Sequence, residues 1–288
     1  MSVLVNKKTK VLVQGLTGTQ ASFHIQRAIK YGTKIVAGVV PTSKEKSHLG
    51  IPIFNTVKDA KEKTGATASI IFVPAQSAKN AIIEAIDAEL EFVVVITSGI
   101  PVVDMMEIKH KLKNSKTILI GPNTPGIITP KEAYMGIFPD NIHNPGPIGV
   151  ISKSSTLTYE VVLELNKIGL GQSTVVGLGD DYIVGSEFAD VIEKFNEDPK
   201  TKATVLIYGI GENFETNIAN KYSQMKNKKP VIALAVQDLG ITQSPLEKSD
   251  TVCLGNTNTA KKKDILESTG IMVVNTIQEL KDELKKIC

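Results

Sequence analysis

Apolar and polar positions along the chain alternate between two patterns from end to end. Short, nearly unbroken β-branched runs such as Phe92-Val93-Val94-Val95-Ile96 give way to longer stretches with apolar positions at helical spacing. An unbroken run is what a strand buried on both faces requires, so the sheets are expected to be parallel with helices on either side. In the first half, strands are predicted at Lys10–Gln14, Lys34–Val39, Ala68–Val73, Glu91–Ile96 and Thr117–Ile120. The helices between them fall near Gln20–Tyr31, Thr56–Lys63, Ser77–Ala88 and Val103–Lys113, and Thr56 has the side chain of an N-cap, followed by Asp59 in the first turn. A second series places strands at Ile148–Ser152, Gln172–Leu178, Ala203–Tyr208, Pro230–Val236 and Ile271–Val274. Its helices lie near Leu157–Ile168, Ser186–Asn196, Glu212–Lys226, Thr259–Ser268 and Thr276–Lys286. Between the two series, residues 121–147 hold six of the 13 prolines and no sustained period. That stretch is predicted to be a connection with one short strand at Tyr134–Phe138. The expected architecture is two-domain α/β with parallel sheets: residues 1–121, a connection over 122–146, and residues 147–288.

In such sheets ligands sit beyond the carboxyl ends of the strands, where strand order reverses. The first strand runs into Gly15-Leu16-Thr17-Gly18 and then a helix. Glycines allow a sharp turn and a close backbone approach, and a helix N-terminus adds partial positive charge, which suits a phosphate or pyrophosphate. Gly-x-x-Gly is also an ordinary strand-to-helix turn, so the motif alone does not decide. The second strand helps. An NAD site wants an acid at its end for the ribose hydroxyls, and here the chain reads Pro41-Thr42-Ser43-Lys44, with no acid before Glu45. A lysine and hydroxyls suit a ligand with an additional phosphate, such as NADP or the 3′-phosphate of coenzyme A. Val73-Pro74 and Ile96-Thr97-Ser98, at the next two strand ends, are then available for adenine or pantetheine.

Composition narrows the classes. A hydrophobic share of 42%, charged residues at 22% and a mean hydropathy of +0.02 describe an ordinary globular protein. A net charge of +3, with lysines spread among acids, gives no nucleic-acid footprint. No apolar run reaches membrane-spanning length, and no signal peptide opens the chain, so neither a membrane nor secretion is expected. Cys253 and Cys288 supply neither a disulfide framework nor metal-ligand spacing, and Cys253 reads as a small buried hydrophobe. Asp180 and Asp181 read as a charged loop, and no metal site is expected.

Taken together, the ordered segments VLVQGLTGTQASFH (11–24), YGTKIVAGVVP (31–41), HLGIPIFNTVKDA (48–60), TGATASIIFVPA (64–75), IGPNTPGIITP (120–130), IHNPG (142–146), VISKSSTLTYE (150–160) and GLGQSTVVGLG (169–179) resemble the alpha subunit of succinyl-CoA synthetase, or succinate–CoA ligase. The likeness runs nearly end to end. It implies a Rossmann-type CoA-binding domain followed by a flavodoxin-like ligase domain, with a β subunit that carries the nucleotide-grasp site. By that resemblance coenzyme A meets Thr17, Gly18, Thr19 and Gln20, a lysine after the second strand, and Ile96, Thr97 and Ser98. The family's Pro-Gly-Lys-Gly-Gly is here Pro41-Thr42-Ser43-Lys44-Glu45, which moves the lysine to Lys44, and the family's acid after Ile-Thr is Ser98. Ser152, Ser154, Ser155 and Thr156 match the phosphate cradle, with Ser155 in place of a glycine. Tyr159 is placed by resemblance toward a small carboxylic acid, or else is a core aromatic. His24 and His48 read as scaffold.

The family passes a phosphoryl group through a histidine in a Gly-His-Ala-Gly loop, because a neutral imidazole nitrogen is nucleophilic at pH 7. This chain has four histidines, His24, His48, His110 and His143, and none follows residue 143. The matching stretch, residues 244–255, puts Glu247 or Lys248 at that position. The family glutamate that orients the histidine is Gly209, with Glu212 three residues on, and Gly-Gly-Asp-Pro becomes Gly179-Asp180-Asp181-Tyr182. A carboxylate at Asp180 beside a phosphate repels it by about 4 kcal/mol at ~4 Å near a protein surface, unless it points away. The resemblance therefore implies a CoA-binding, β-pairing alpha-like subunit impaired in phosphohistidine transfer. The alternatives are an active acyl-CoA ligase with a non-histidine route, and an NADP-dependent oxidoreductase. The expected location is cytoplasmic, or the mitochondrial matrix after loss of a targeting segment.

Overall fold

A computed structural model describes residues 4–209, 214–236 and 259–288. Its first sheet is built outward from β1 (Lys10–Gln14), whose Val11, Leu12 and Val13 are fully buried. Alternate residues of this sheet enter different cores: Val11, Val13 and Ile70 on one face, Leu12, Ile71 and Val93 on the other. That two-sided burial is why its strands read as unbroken apolar runs. After β1 come α1 (Thr19–Tyr31), closed by Gly32 at φ 100°, and β2 (Lys34–Val39), parallel to β1.

A hairpin that periodicity does not signal comes next, β3 (Ser47–His48) and β4 (Ile51–Phe54), antiparallel to each other. Leu49 and Gly50 both have positive φ, 53° and 75°, which is the two-residue turn that suits strand twist. The chain continues through α2 (Val57–Thr64), β5 (Ala68–Ile71), α3 (Ala75–Asp87), β6 (Phe92–Val95), α4 (Val102–Leu112) and β7 (Ile118–Ile120). Thr56 caps α2 as predicted, accepting from the Asp59 N–H at 3.1 Å. Strand order is β3-β4-β2-β1-β5-β6-β7, so the reversal lies between β1 and β5.

The proline-rich connection needs correction. It supplies two strands rather than one, β8 (Gly126–Thr129) and β9 (Ala133–Gly136), and both belong to the second sheet. The remaining elements are β10 (Pro145–Ser152), α5 (Ser155–Lys167), β11 (Gln172–Gly177), α6 (Phe188–Glu197), β12 (Ala203–Gly209), α7 (Glu215–Gln224), β13 (Val231–Val236), α8 (Thr259–Glu267), β14 (Met272–Val274) and α9 (Ile277–Ile287). Strand order is β14-β13-β12-β10-β11-β8-β9, parallel except that β8 pairs antiparallel with β11 and β9 with β8. The reversal here lies between β10 and β12. Glu212, Glu247, Lys248 and Cys253 lie outside the described residues.

The two sheets share a core. A single apolar cluster runs from Val13, Val94 and Ile120 of the first sheet through Ile127 and Met135 to Val176 of the second. Polar ties reinforce it. The Thr33 hydroxyl donates to the Tyr134 carbonyl at 2.9 Å and accepts from the Tyr134 N–H, and Arg27 pairs with Asp140.

His143, beside this junction, is 5% exposed. Its Nδ1 bonds the Pro139 carbonyl at 2.9 Å, so Nδ1–H is the donor, and Nε2 is buried without a hydrogen-bond partner among the described residues. Burial pulls its pKa down to about 4. Between that value and the unfolded value near 6.5, the unfolded chain binds the extra proton. Stability is therefore complete above about pH 6.5 and falls by about 3 kcal/mol as pH drops to 4, taking 1.36 kcal/mol per pKa unit. Urea unfolding at several pH values checks this: His143→Leu is expected to flatten the slope between pH 6.5 and 4, and parallel slopes would clear His143 as the cause.

Candidate functional site

At the reversal point of the first sheet, β1 ends in a turn that Gly15 makes possible at φ 85°. A Cβ on Gly15 would sit 3.1 Å from Val73 Cγ1 and 3.3 Å from the backbone of Phe72 and Val73, so the turn lies close against the end of β5. The Gly15 N–H donates to the Val39 carbonyl at 3.0 Å and the Gly18 N–H to the Gly15 carbonyl at 3.1 Å. Gly18 is the N-cap of α1, with no side-chain cap and no acid in the first turn. Thr17, Gly18, Thr19 and Gln20 are all exposed. The first-turn N–H groups of Thr19 and Gln20 have no acceptor within the helix. A 13-residue helix therefore presents uncapped donors and its positive end at the sheet's reversal point, which is the chemistry a diphosphate needs.

Neighbouring strand ends complete the rim. Val73 and Pro74 follow β5, and Ile96, Thr97 and Ser98 follow β6. The Thr97 hydroxyl donates to the Val73 carbonyl at 2.5 Å, which binds the two segments together. Ile96 and Thr97 are half-buried and Ser98 is exposed. Lys44 sits exposed on the loop after β2, where Thr42 takes φ 61° and the Ser43 N–H closes a turn on the Val40 carbonyl at 3.2 Å. The predicted ligand-binding residues of the first domain thus all lie at one edge of one sheet.

The second cluster lies at the end of β10. The Ser152 hydroxyl donates to the Ser154 carbonyl at 2.8 Å and accepts from the Ser154 N–H at 3.0 Å, while Ser154 caps α5 by accepting from the Leu157 N–H at 3.4 Å. Both hydroxyls are engaged in building the turn, and Ser152 is buried. Ser155 and Thr156 are exposed in the first turn of α5 and are the hydroxyls best placed for an anion. Tyr159, half-buried, packs edge-on against Phe138 with centroids 6.0 Å apart, and burial raises its pKa. That contact seats one side of the ring on the core and leaves the ring partly open to solvent. Gly209 ends β12 across the reversal from β10. Asp180 is exposed, its N–H donating to the Asn123 carbonyl at 3.2 Å. Among the described residues no group of three or more His, Cys, Asp or Glu is placed to hold a metal, and no helix is long and apolar enough to cross a membrane.

Sequence reasoning missed one contact at this edge. The Ser22 hydroxyl, one turn into α1, lies 2.8 Å from Nε2 of His48. No periodic or turn signal joins a helix to a hairpin strand across that interval.

Solved structures share the whole architecture. ATP citrate lyase from Methanothrix soehngenii, in complex with citrate and coenzyme A, superposes with a TM-score of 0.81 at 23% identity, over 99% of this chain and 51% of that one. The dinucleotide-forming acetyl-coenzyme A synthetase 1 of Ca. Korarchaeum cryptofilum gives 0.74 at 21%, over 95% and 59%. The chain spans little more than half the length of these two proteins, and the likeness is one of fold. Residues 6–99 match the CoA-binding domain family, and residues 145–286 match the flavodoxin-like domain of succinyl-CoA ligase. The chain is 47% identical, over its full length and 95% of the relative's, to the succinate–CoA ligase [ADP-forming] subunit alpha of Aquifex aeolicus. The chain belongs to the succinate–CoA ligase alpha subunit family. The Staphylococcus aureus alpha subunit is 44% identical, over 97% of this chain and 93% of its own. As a succinate–CoA ligase alpha-type chain it carries the CoA-binding domain at its N-terminal half, and coenzyme A is its cofactor.

Proposed function

We propose that this chain is a succinate–CoA ligase alpha-like subunit that grips coenzyme A, pairs with a β subunit and is impaired in phosphohistidine transfer. One observation carries the binding half. The uncapped N-terminus of α1 opens at the reversal point of the domain that matches the CoA-binding family. In this reading Thr17, Gly18, Thr19 and Gln20 hold the diphosphate, Lys44 meets the 3′-phosphate, and Val73, Pro74, Ile96, Thr97 and Ser98 line the adenine and pantetheine. Bound coenzyme A would supply a thiol as acyl acceptor. The division into residues 1–121, 122–146 and 147–288 goes with it, the middle stretch also edging the second sheet.

The other half of the reading concerns phosphorus. Ser152, Ser154, Ser155 and Thr156 are the phosphate cradle and Tyr159 faces a small carboxylic acid, but no histidine follows residue 143 to relay a phosphoryl group. The relatives are named as subunits, which supports a β partner. Val102, Val103, Met106 and Tyr182 support it too, as exposed apolar side chains on α4 and the loop facing it.

Calorimetry with coenzyme A and with NADP tests the binding half. Coenzyme A is expected to bind and NADP to give no heat; the reverse would favour an oxidoreductase. Thr17→Tyr, which fills the turn, and Lys44→Glu, which reverses a charge, are each expected to weaken coenzyme A at least about tenfold, or 1.4 kcal/mol, without unfolding the chain. Unchanged affinity in both would mean that the pocket lies elsewhere.

A further inference from the structure

The loop that carries Lys44 is held at both ends. At one end it leaves β2 through the turn at Thr42. At the other it enters the β3–β4 hairpin, where the Ile53 N–H donates to the Lys46 carbonyl at 3.0 Å and His48 pairs with Ile51 across the turn. The imidazole of His48 crosses from this hairpin to α1, its Nε2 2.8 Å from the Ser22 hydroxyl. Ser22 is itself fixed. Its N–H donates to the Gly18 carbonyl at 2.8 Å, and its hydroxyl lies 3.3 Å from the Leu16 carbonyl. Nδ1 of the same imidazole faces the Glu45 carboxylate at 3.6 Å, next in sequence to Lys44. The bond therefore joins the helix turn beneath the diphosphate donors to the loop that bears Lys44, and it holds whichever of the two groups supplies the proton.

We propose that Ser22 and His48 form a clamp that sets Lys44 at a fixed distance from the α1 N-terminus, so that the site selects coenzyme A with its 3′-phosphate over dephospho-coenzyme A. This rests on the reading of Lys44 as the partner of the 3′-phosphate. The pair are positioning residues: neither needs to touch the ligand. Without the bond, the hairpin keeps its apolar packing near Ile25 but loses this polar tie to α1, and Lys44 loses the preset geometry that lowers the ordering cost on binding. A ligand lacking the 3′-phosphate makes no use of Lys44 and should be indifferent to the clamp.

The test is calorimetry of the full chain with coenzyme A and with dephospho-coenzyme A, for wild type, Ser22→Ala, His48→Phe, His48→Gln and Lys44→Ala. Ser22→Ala and His48→Phe are expected to lower the coenzyme A to dephospho-coenzyme A affinity ratio about five- to tenfold, the effect of one lost hydrogen bond, with dephospho-coenzyme A affinity unchanged. His48→Gln, which places an amide nitrogen at similar reach, should restore most of the ratio. In a Lys44→Ala background His48→Phe should add nothing further. A ratio that stays at the wild-type value in both clamp variants overturns the proposal, as does an equal loss for both ligands, which would mark the pair as merely structural. A wild-type ratio near one, with both ligands bound, instead removes Lys44 from the 3′-phosphate and the clamp's role with it. Failure of wild type to bind either ligand removes the site itself.

Discussion

Incubated with a succinate–CoA ligase β subunit and γ-labelled ATP, this chain is expected to retain no phosphate that is labile in acid and stable in alkali, which is the signature of a phosphoramidate such as phosphohistidine or phospholysine. A histidine-bearing alpha subunit treated in parallel should be labelled. The reason lies in the nucleophiles on offer. By resemblance the phosphorylated position is Glu247 or Lys248, and no histidine occurs after residue 143. A lysine with an ordinary pKa near 10.4 is neutral in only about one molecule in 2,500 at pH 7, and an ammonium has no lone pair to offer. A carboxylate can accept a phosphoryl group, but the product is an acyl phosphate, which alkali destroys. The two labilities therefore separate the readings. Alkali-stable, acid-labile label on this chain ends the impaired-subunit reading; alkali-labile label, with succinyl-CoA formed, favours an active ligase with a non-histidine route. Gly209 bears on the same outcome, because by resemblance it takes the place of the family's orienting glutamate, and a glycine has no side chain to do the orienting. Restoring a histidine alone is thus expected to restore little labelling, since the imidazole would lack the group that fixes its tautomer.

Gly179→Ala is expected to be among the most damaging single-methyl changes in the chain. Gly179 has φ 101°, and a Cβ there would lie 2.0 Å from the Pro122 carbonyl oxygen and 3.1 Å from Gly121 Cα. Those backbone atoms cannot retreat. The Gly121 N–H donates to the Leu178 carbonyl at 3.1 Å, the Gly185 N–H to the Gly121 carbonyl at 2.8 Å, and the Thr124 hydroxyl to the Gly177 carbonyl at 2.5 Å. The strained dihedral costs on the order of 1–3 kcal/mol and the overlap adds to it. A loss of roughly 3 kcal/mol lowers Tm by about 5 °C in a 288-residue chain, at about 2.1 cal/mol/K of unfolding entropy per residue. Gly50→Ala is the control: φ is 75°, but nothing lies within 4 Å. It should cost about 1 kcal/mol and roughly 2 °C, from the dihedral alone. Scanning calorimetry of both variants decides the matter, and similar Tm values would mean that the 121–124 segment yields.

The repeated strand-and-helix elements could be read because each is long enough to show its own period. β1 and β2 fall where their apolar runs do, and Thr56 announces α2 by a local bond to the third residue after it. The hairpin β3–β4 escaped for the opposite reason, since a two-residue strand has no period. β8 escaped because its place is fixed by β11, through pairs such as Ile128 with Val175, and not by its own sequence. The site divides in the same way. The glycine turn was legible since Gly15 meets a local backbone demand, whereas the Ser22–His48 bond spans 26 residues and two elements. Ser152 was half legible for a related reason: a hydroxyl at a strand end suits an anion, whereas its bonds to the Ser154 backbone, which shape the turn, exist only in the folded chain.

The apolar cluster that runs unbroken through both sheets also limits how this molecule can be taken apart. A fragment ending after β7 would part Val94 and Ile120 from the Ile127 and Val176 share of the cluster they belong to. Neither half should behave as a separable module, and the halves cannot swing apart like jaws without opening the seam between them. Any traffic between the two strand-end clusters must then be handled by what is small and mobile: surface loops, a partner's arm, or the long pantetheine tether itself.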